Sequence, residues 1–210
     1  MRATKCYWNY TPKLYRLLVL ILFPIILVVV AVATSANKVP AVAMIGLFST
    51  EIFYEIFADN WMLNGIQSKD YRGIHLIQSS TEGKAFMKKV VLMDCIRRYV
   101  YMAVVCLCFL SIHILVGGSD NLTEDVMFLW NSFWLAGAVI SLFIWIGRYF
   151  SNMVAVMLLS YLGVFGFAFL ASAWGTMKIG CVTYPLISLG ISGLCVAIGM
   201  KKMEGCYYDR

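Results

Sequence analysis

Residues 99–119 read YVYMAVVCLCFLSIHILVGGS, a run with no Asp, Glu, Lys or Arg. About 18 or more uncharged apolar residues, rising ~1.5 Å each as a helix, are long enough to cross the ~30 Å hydrocarbon core of a bilayer. A barrel strand would alternate polar and apolar side chains, whereas this run is apolar all round. Comparable runs lie on both sides of it. The sequence therefore predicts an all-α polytopic membrane protein, one transmembrane domain over residues 1–210, with six spans at 17–36, 39–63, 99–119, 126–147, 149–177 and 179–200.

Composition agrees with the runs. The chain is 61% hydrophobic and 13% charged, with a mean hydropathy of +0.80. A soluble domain carries roughly 25% charged residues, so a water-soluble globule is excluded. Six spans leave no room for a soluble catalytic domain, and the work of the chain falls inside the bilayer or to a partner. Arg2 and Lys5 ahead of an apolar run, followed by Ala33-Thr34-Ser35-Ala36, imitate a secretory signal. A signal core is about 7–15 residues long, so the longer run at 17–36 is read as a retained first span.

The basic residues set the orientation. Arg2, Lys5, Lys13 and Arg16 precede span one, and Lys69, Arg72, Lys84, Lys88, Lys89, Arg97 and Arg98 follow span two. Arg148 follows span four, and Lys201, Lys202 and Arg210 follow span six. One side thus holds 15 of the 17 basic residues, leaving Lys38 and Lys178 on the other. The positive-inside rule then predicts a multi-pass protein of the cell membrane with both termini cytoplasmic. The net charge of +6 is a topological signal and needs no nucleic-acid partner. Seven cysteines outside any evident outer loop give no disulfide framework, and Cys106-x-Cys108 reads as packing rather than a soft-metal pair. The sequon Asn121-Leu122-Thr123 sits in a loop too close to the membrane to carry weight.

Polar residues concentrate in two places. The first is Glu51-x-x-x-Glu55-x-x-x-Asp59, whose spacing puts three carboxylates on one face of span two. A charge near mid-span costs about 2.5–3.5 kcal/mol on insertion scales, so this face should meet a cavity, a subunit seam or a cation. Arg97 or Arg98, entering span three from the same side, is the expected ion-pair partner of Asp59. The second place is the connection 64–98, the one long link between spans. Gly65, Gly73 and Gly83 divide it, Ile74, Leu76, Ile77, Phe86, Val90 and Val91 give it apolar contact surface, and a new helix is predicted to start at Gly83. Such a segment fits a docking element. His75 and His113 lack a second histidine at ligand spacing and read as structural. Tyr7, Trp8, Tyr10 and Tyr15 alternate with Lys5, Lys13 and Arg16, which predicts an interfacial elbow helix over 3–16. Gly163, Gly166, Gly190 and Gly193 suit close helix packing, and Pro185 suits a kink.

Enzyme motifs are missing. The acidic stripe imitates only the last part of the metal-binding pattern of membrane phosphotransferases. No Glu-Glu-x-x-x-Arg element suits a prenyl-processing protease, and Gly83-Lys84 lacks the upstream glycine and following hydroxyl of a phosphate loop.

The order of parts resembles the membrane subunit of an ATP-binding cassette exporter with a separate ATPase. The likeness rests on EIFYEIFADNW at 51–61, GIQSKDYRG at 65–73 and HLIQSSTEG at 75–83. Thr81 departs from the proline usual after the paired serines. The resemblance implies a coupling helix in which Asp70, Tyr71, Arg72, Ile74, His75, Leu76, Ile77, Gln78, Ser79 and Ser80 engage a cytoplasmic ATPase. It also implies a second permease subunit, identical or homologous, in the same bilayer. ATP and magnesium would belong to the partner ATPase, with no catalytic residue, cofactor or metal in this chain. A peptide of antimicrobial or toxin-like type, or another amphipathic cargo, would pass along the seam offered by Glu51 and Glu55. The alternative is the substrate-binding subunit of a vitamin importer, carried by Ala31, Ala33 and Ala36; a membrane-embedded lipid phosphotransferase stands third.

Overall fold

The computed structural model describes residues 17, 21–37, 40–67, 83–116, 121–150 and 152–208, with the backbone alone for 61–67, 84, 87 and 206–208. Six helices follow one another: α1 (Phe23–Ala36), α2 (Pro40–Gln67), α3 (Gly83–Val116), α4 (Leu122–Gly147), α5 (Met153–Trp174) and α6 (Gly180–Tyr208). No strand occurs among the described residues. Five of the helices, α2 to α6, are long and apolar enough to cross a bilayer, while the 14 residues of α1 form a shorter apolar helix. The expected elbow at 3–16 and coupling residues 70–80 lie outside the described residues.

α4 is the hub. It packs against α2, α5 and α6 and more lightly against α3, while α1 bridges α2 and α3. Its buried side includes Phe128, Leu129, Ala136, Val139, Ile140 and Ile144. Around it, α5 and α6 turn large apolar side chains outward, among them Phe165, Phe169, Val182 and Leu186. Outward Phe and Leu suit lipid tails, because a bilayer does not drive apolar groups inward as water does.

Helix boundaries differ most at α3. Its described part runs from Gly83, and its apolar stretch starts at Lys88, well before the expected span start at 99. The charges at 94–98 interrupt the apolar run in sequence but are paired in space. The expected span 149–177 is likewise shortened at its start, because Asn152 caps α5: its side chain accepts a hydrogen bond from the Val154 N–H at 2.9 Å.

Pro185 lies inside α6. Having no N–H, it leaves the Cys181 carbonyl without its intrahelical partner. Trp130 on α4 donates its indole Nε1–H to that carbonyl at 3.0 Å, so a neighbouring helix supplies the missing bond. Of the glycines expected to allow close packing, Gly163 does so: a β-carbon there would lie 3.2 Å from Ile56 Cδ1 on α2. Gly166, Gly190 and Gly193 face open space instead, so among the described residues their smallness brings no helix closer.

Candidate functional site

The three carboxylates of α2 are buried, with Glu51 4%, Glu55 1% and Asp59 4% exposed. They face Asp94, Arg97 and Arg98 of α3, whose spacings of three and four place them on one helical face. Arg97 grips Glu55 with both nitrogens of its fork, Nη1 donating to Oε1 at 2.9 Å and Nη2 to Oε2 at 2.5 Å, and Nη2 also reaches Asp94 Oδ1 at 3.1 Å. Arg98 donates from Nη2 to Asp94 Oδ2. The same nitrogen lies 3.6 Å from Asp59 Oδ1, and Arg98 Nε lies 3.9 Å from Glu55 Oε2.

The expected pairing at Asp59 therefore divides. Arg98 comes within ion-pair distance of Asp59, whereas Arg97 is spent on Glu55 and Asp94. The close partner of Asp59 is a residue that the sequence reading used only for orientation. Arg148, the residue after α4, donates from Nη2 to Asp59 Oδ1 at 2.7 Å and from Nε to Oδ2 at 3.1 Å. This two-point geometry is the strongest form of a guanidinium–carboxylate contact. Gly199 on α6 makes room for it, since a β-carbon at that position would lie 2.6 Å from Arg148 Nη1. Lys202 on α6 donates to the Arg148 carbonyl at 2.5 Å and sits 4.0 Å over the Tyr149 ring. The basic end of α6 thus fastens the end of α4.

Asp94 is the second residue missed. Within the connection 64–98 the sequence reading assigns Arg97 and Arg98 a role as partners of Asp59, and Asp94 none. On one continuous helix, Asp94 is 1% and Arg98 5% exposed. The stretch's own spacing, an acid three and four residues before two arginines, carries the signal.

A chain of hydroxyls lies beside the charges. Tyr99 on α3 bonds Ser188 at 2.8 Å and Ser192 at 2.7 Å on α6, and Ser192 bonds Ser141 on α4 at 2.7 Å. Between this chain and Arg98 and Arg148 lies a cavity of about 10 Å³, lined also by Cys95 and Cys195. That is room for about one water. Gly137 on α4 lets Tyr99 approach, as a β-carbon there would lie 2.7 Å from the ring.

At the opposite end of the bundle His113 has 1% exposure. Its Nδ1 lies 2.8 Å from Ser35 Oγ and its Nε2 3.2 Å from Asp125 Oδ2. The residue types are those of a nucleophilic triad, but Ser35 has no exposed surface, and the trio joins the ends of α1, α3 and α4. Cys106 is half-buried and Cys108 exposed; two residues apart on a helix, they point to different faces.

No protein-family model, curated protein or solved structure matches the chain.

Proposed function

We propose that the chain is the permease subunit of an ATP-binding cassette exporter, working as a pair with a second permease and driven by a separate cytoplasmic ATPase. The observation that carries this reading is the buried ion-pair cluster of Glu55, Asp59, Asp94, Arg97, Arg98 and Arg148. It ties α2, α3 and the end of α4 together, and in the chain the segment 68–82 runs from α2 to α3. A push delivered to that segment reaches a clamped joint and moves three helices together, which is what mechanical coupling needs. ATP can bias such a joint only if the ATPase binds one arrangement better than the other.

In this reading residues 70–80 contact the ATPase, both termini are cytoplasmic in the cell membrane, and the cargo is an amphipathic peptide or similar molecule. Purification of the tagged chain from membranes of the cells that make it tests the reading. ATP hydrolysis should accompany the wild-type chain and be lost from a Tyr71→Ala/Ile74→Ala variant that still inserts. A chain that purifies without any ATPase, or with a bound vitamin, would contradict it.

A further inference from the structure

Among the described residues the cluster holds four carboxylates, Glu51, Glu55, Asp59 and Asp94, against three guanidiniums, Arg97, Arg98 and Arg148. Each arginine is committed: Arg97 to Glu55 and Asp94, Arg98 to Asp94 and Asp59, Arg148 to Asp59. Glu51 is the odd acid. It is 4% exposed, and its Oε1 has no hydrogen-bond partner among the described residues. A charge that is buried without partner or water is strongly disfavoured, and inside a bilayer no solvent relieves it.

Something must neutralise it, and the groups around it decide what. Glu55 on its own helix and Arg97, Tyr101 and Cys106 on α3 are within electrostatic reach. α1 has no ionisable residue, α4 has only Glu124 and Asp125 in its first turn at the far end, and α5 has only Tyr161, which packs on Phe53. Arg148, just past α4, is held by Asp59. A metal cation needs several oxygen ligands at once. Among the described residues no group of three or more His, Cys, Asp and Glu is placed to supply them. A proton needs one oxygen.

We propose that Glu51 is a proton-binding site: its carboxyl carries a proton while α2 and α3 are clamped, and surrenders it to water when their seam opens. α2 and α3 are not among the closely packed helix pairs, and the arginines of α3 reach across to the acids of α2. The seam opens in this proposal as those ion pairs exchange. The site does not depend on the exporter reading and survives its failure.

Infrared spectroscopy of the full chain in phosphatidylcholine vesicles at neutral pH tests it. The carbonyl stretch of a protonated carboxylic acid should be present in the wild type, lost in Glu51→Gln and retained in Glu55→Gln. A wild-type spectrum without that band, or a band unchanged by Glu51→Gln, would overturn the proposal. Wild-type protein gives a second test that needs no variant. Dicyclohexylcarbodiimide adds to a protonated carboxyl with the acid proton moving to nitrogen and no leaving group, and peptide mapping locates the resulting acylurea. The adduct should fall on Glu51 and decline as pH rises; its absence from Glu51, or equal labelling of Glu55, Asp59 and Asp94, would overturn the site.

Discussion

Arg148 shows how one side chain changes the meaning of a whole stripe. Asp59 alone is a buried acid; with Arg148 gripping both of its oxygens it becomes an anchor between α2 and the end of α4. Removing one partner of such a pair leaves the other charge buried, at a cost of about 3–5 kcal/mol, whereas removing both avoids that penalty. Arg148→Met should therefore lower the thermal unfolding midpoint in detergent sharply, and adding Asp59→Asn should recover most of the loss. A double variant as unstable as Arg148→Met would show that the pair does not act as a pair. The stripe Glu51, Glu55 and Asp59 was legible in the sequence because helical periodicity is a local property. Its partner was not, because a lone arginine after a span looks the same whether it marks the cytoplasmic face or reaches back into the bundle. Only the packing of α4 against α2, with Gly199 leaving space, distinguishes the two.

Among the helices, α3 and α6 depart most from their apolar runs. α3 extends to Gly83 because a helix can carry Asp94, Arg97 and Arg98 into the membrane once they are paired. Hydropathy scores each of these residues as a break and cannot see the pairing. α6 keeps a proline in its interior because α4 offers Trp130 to the carbonyl that Pro185 leaves unbonded. Pro185 was legible as a local perturbation, but the compensating donor lies 51 residues before the Cys181 carbonyl that it serves. Trp130→Phe keeps an aromatic ring and removes the donor, so it should cost about 0.5–1.5 kcal/mol, the net worth of a typical hydrogen bond. The same substitution in a Pro185→Ala background, where the helix bonds its own carbonyl, should cost little. A thermal-stability cycle over the four proteins checks this, and equal costs in both backgrounds would refute the link between Trp130 and Pro185.

Across the whole molecule, charge and apolar surface divide the labour. One end of the bundle carries the clamp of acids and arginines, the other is joined by Ser35, His113 and Asp125, and the apolar flanks between them suit lipid. The all-helical membrane architecture was legible from the apolar runs, since length and composition decide it. The clamp was legible only in half, because its members come from three helices. A joint of this kind supports the proposal that the chain is a partner-driven permease. The most direct measurement is photo-crosslinking in living cells from an unnatural amino acid placed at position 71, with position 165 on the apolar flank as the control. The exporter reading predicts an adduct between position 71 and an ATP-binding subunit, absent from position 165. Adducts only to lipid or to the chain itself would contradict it.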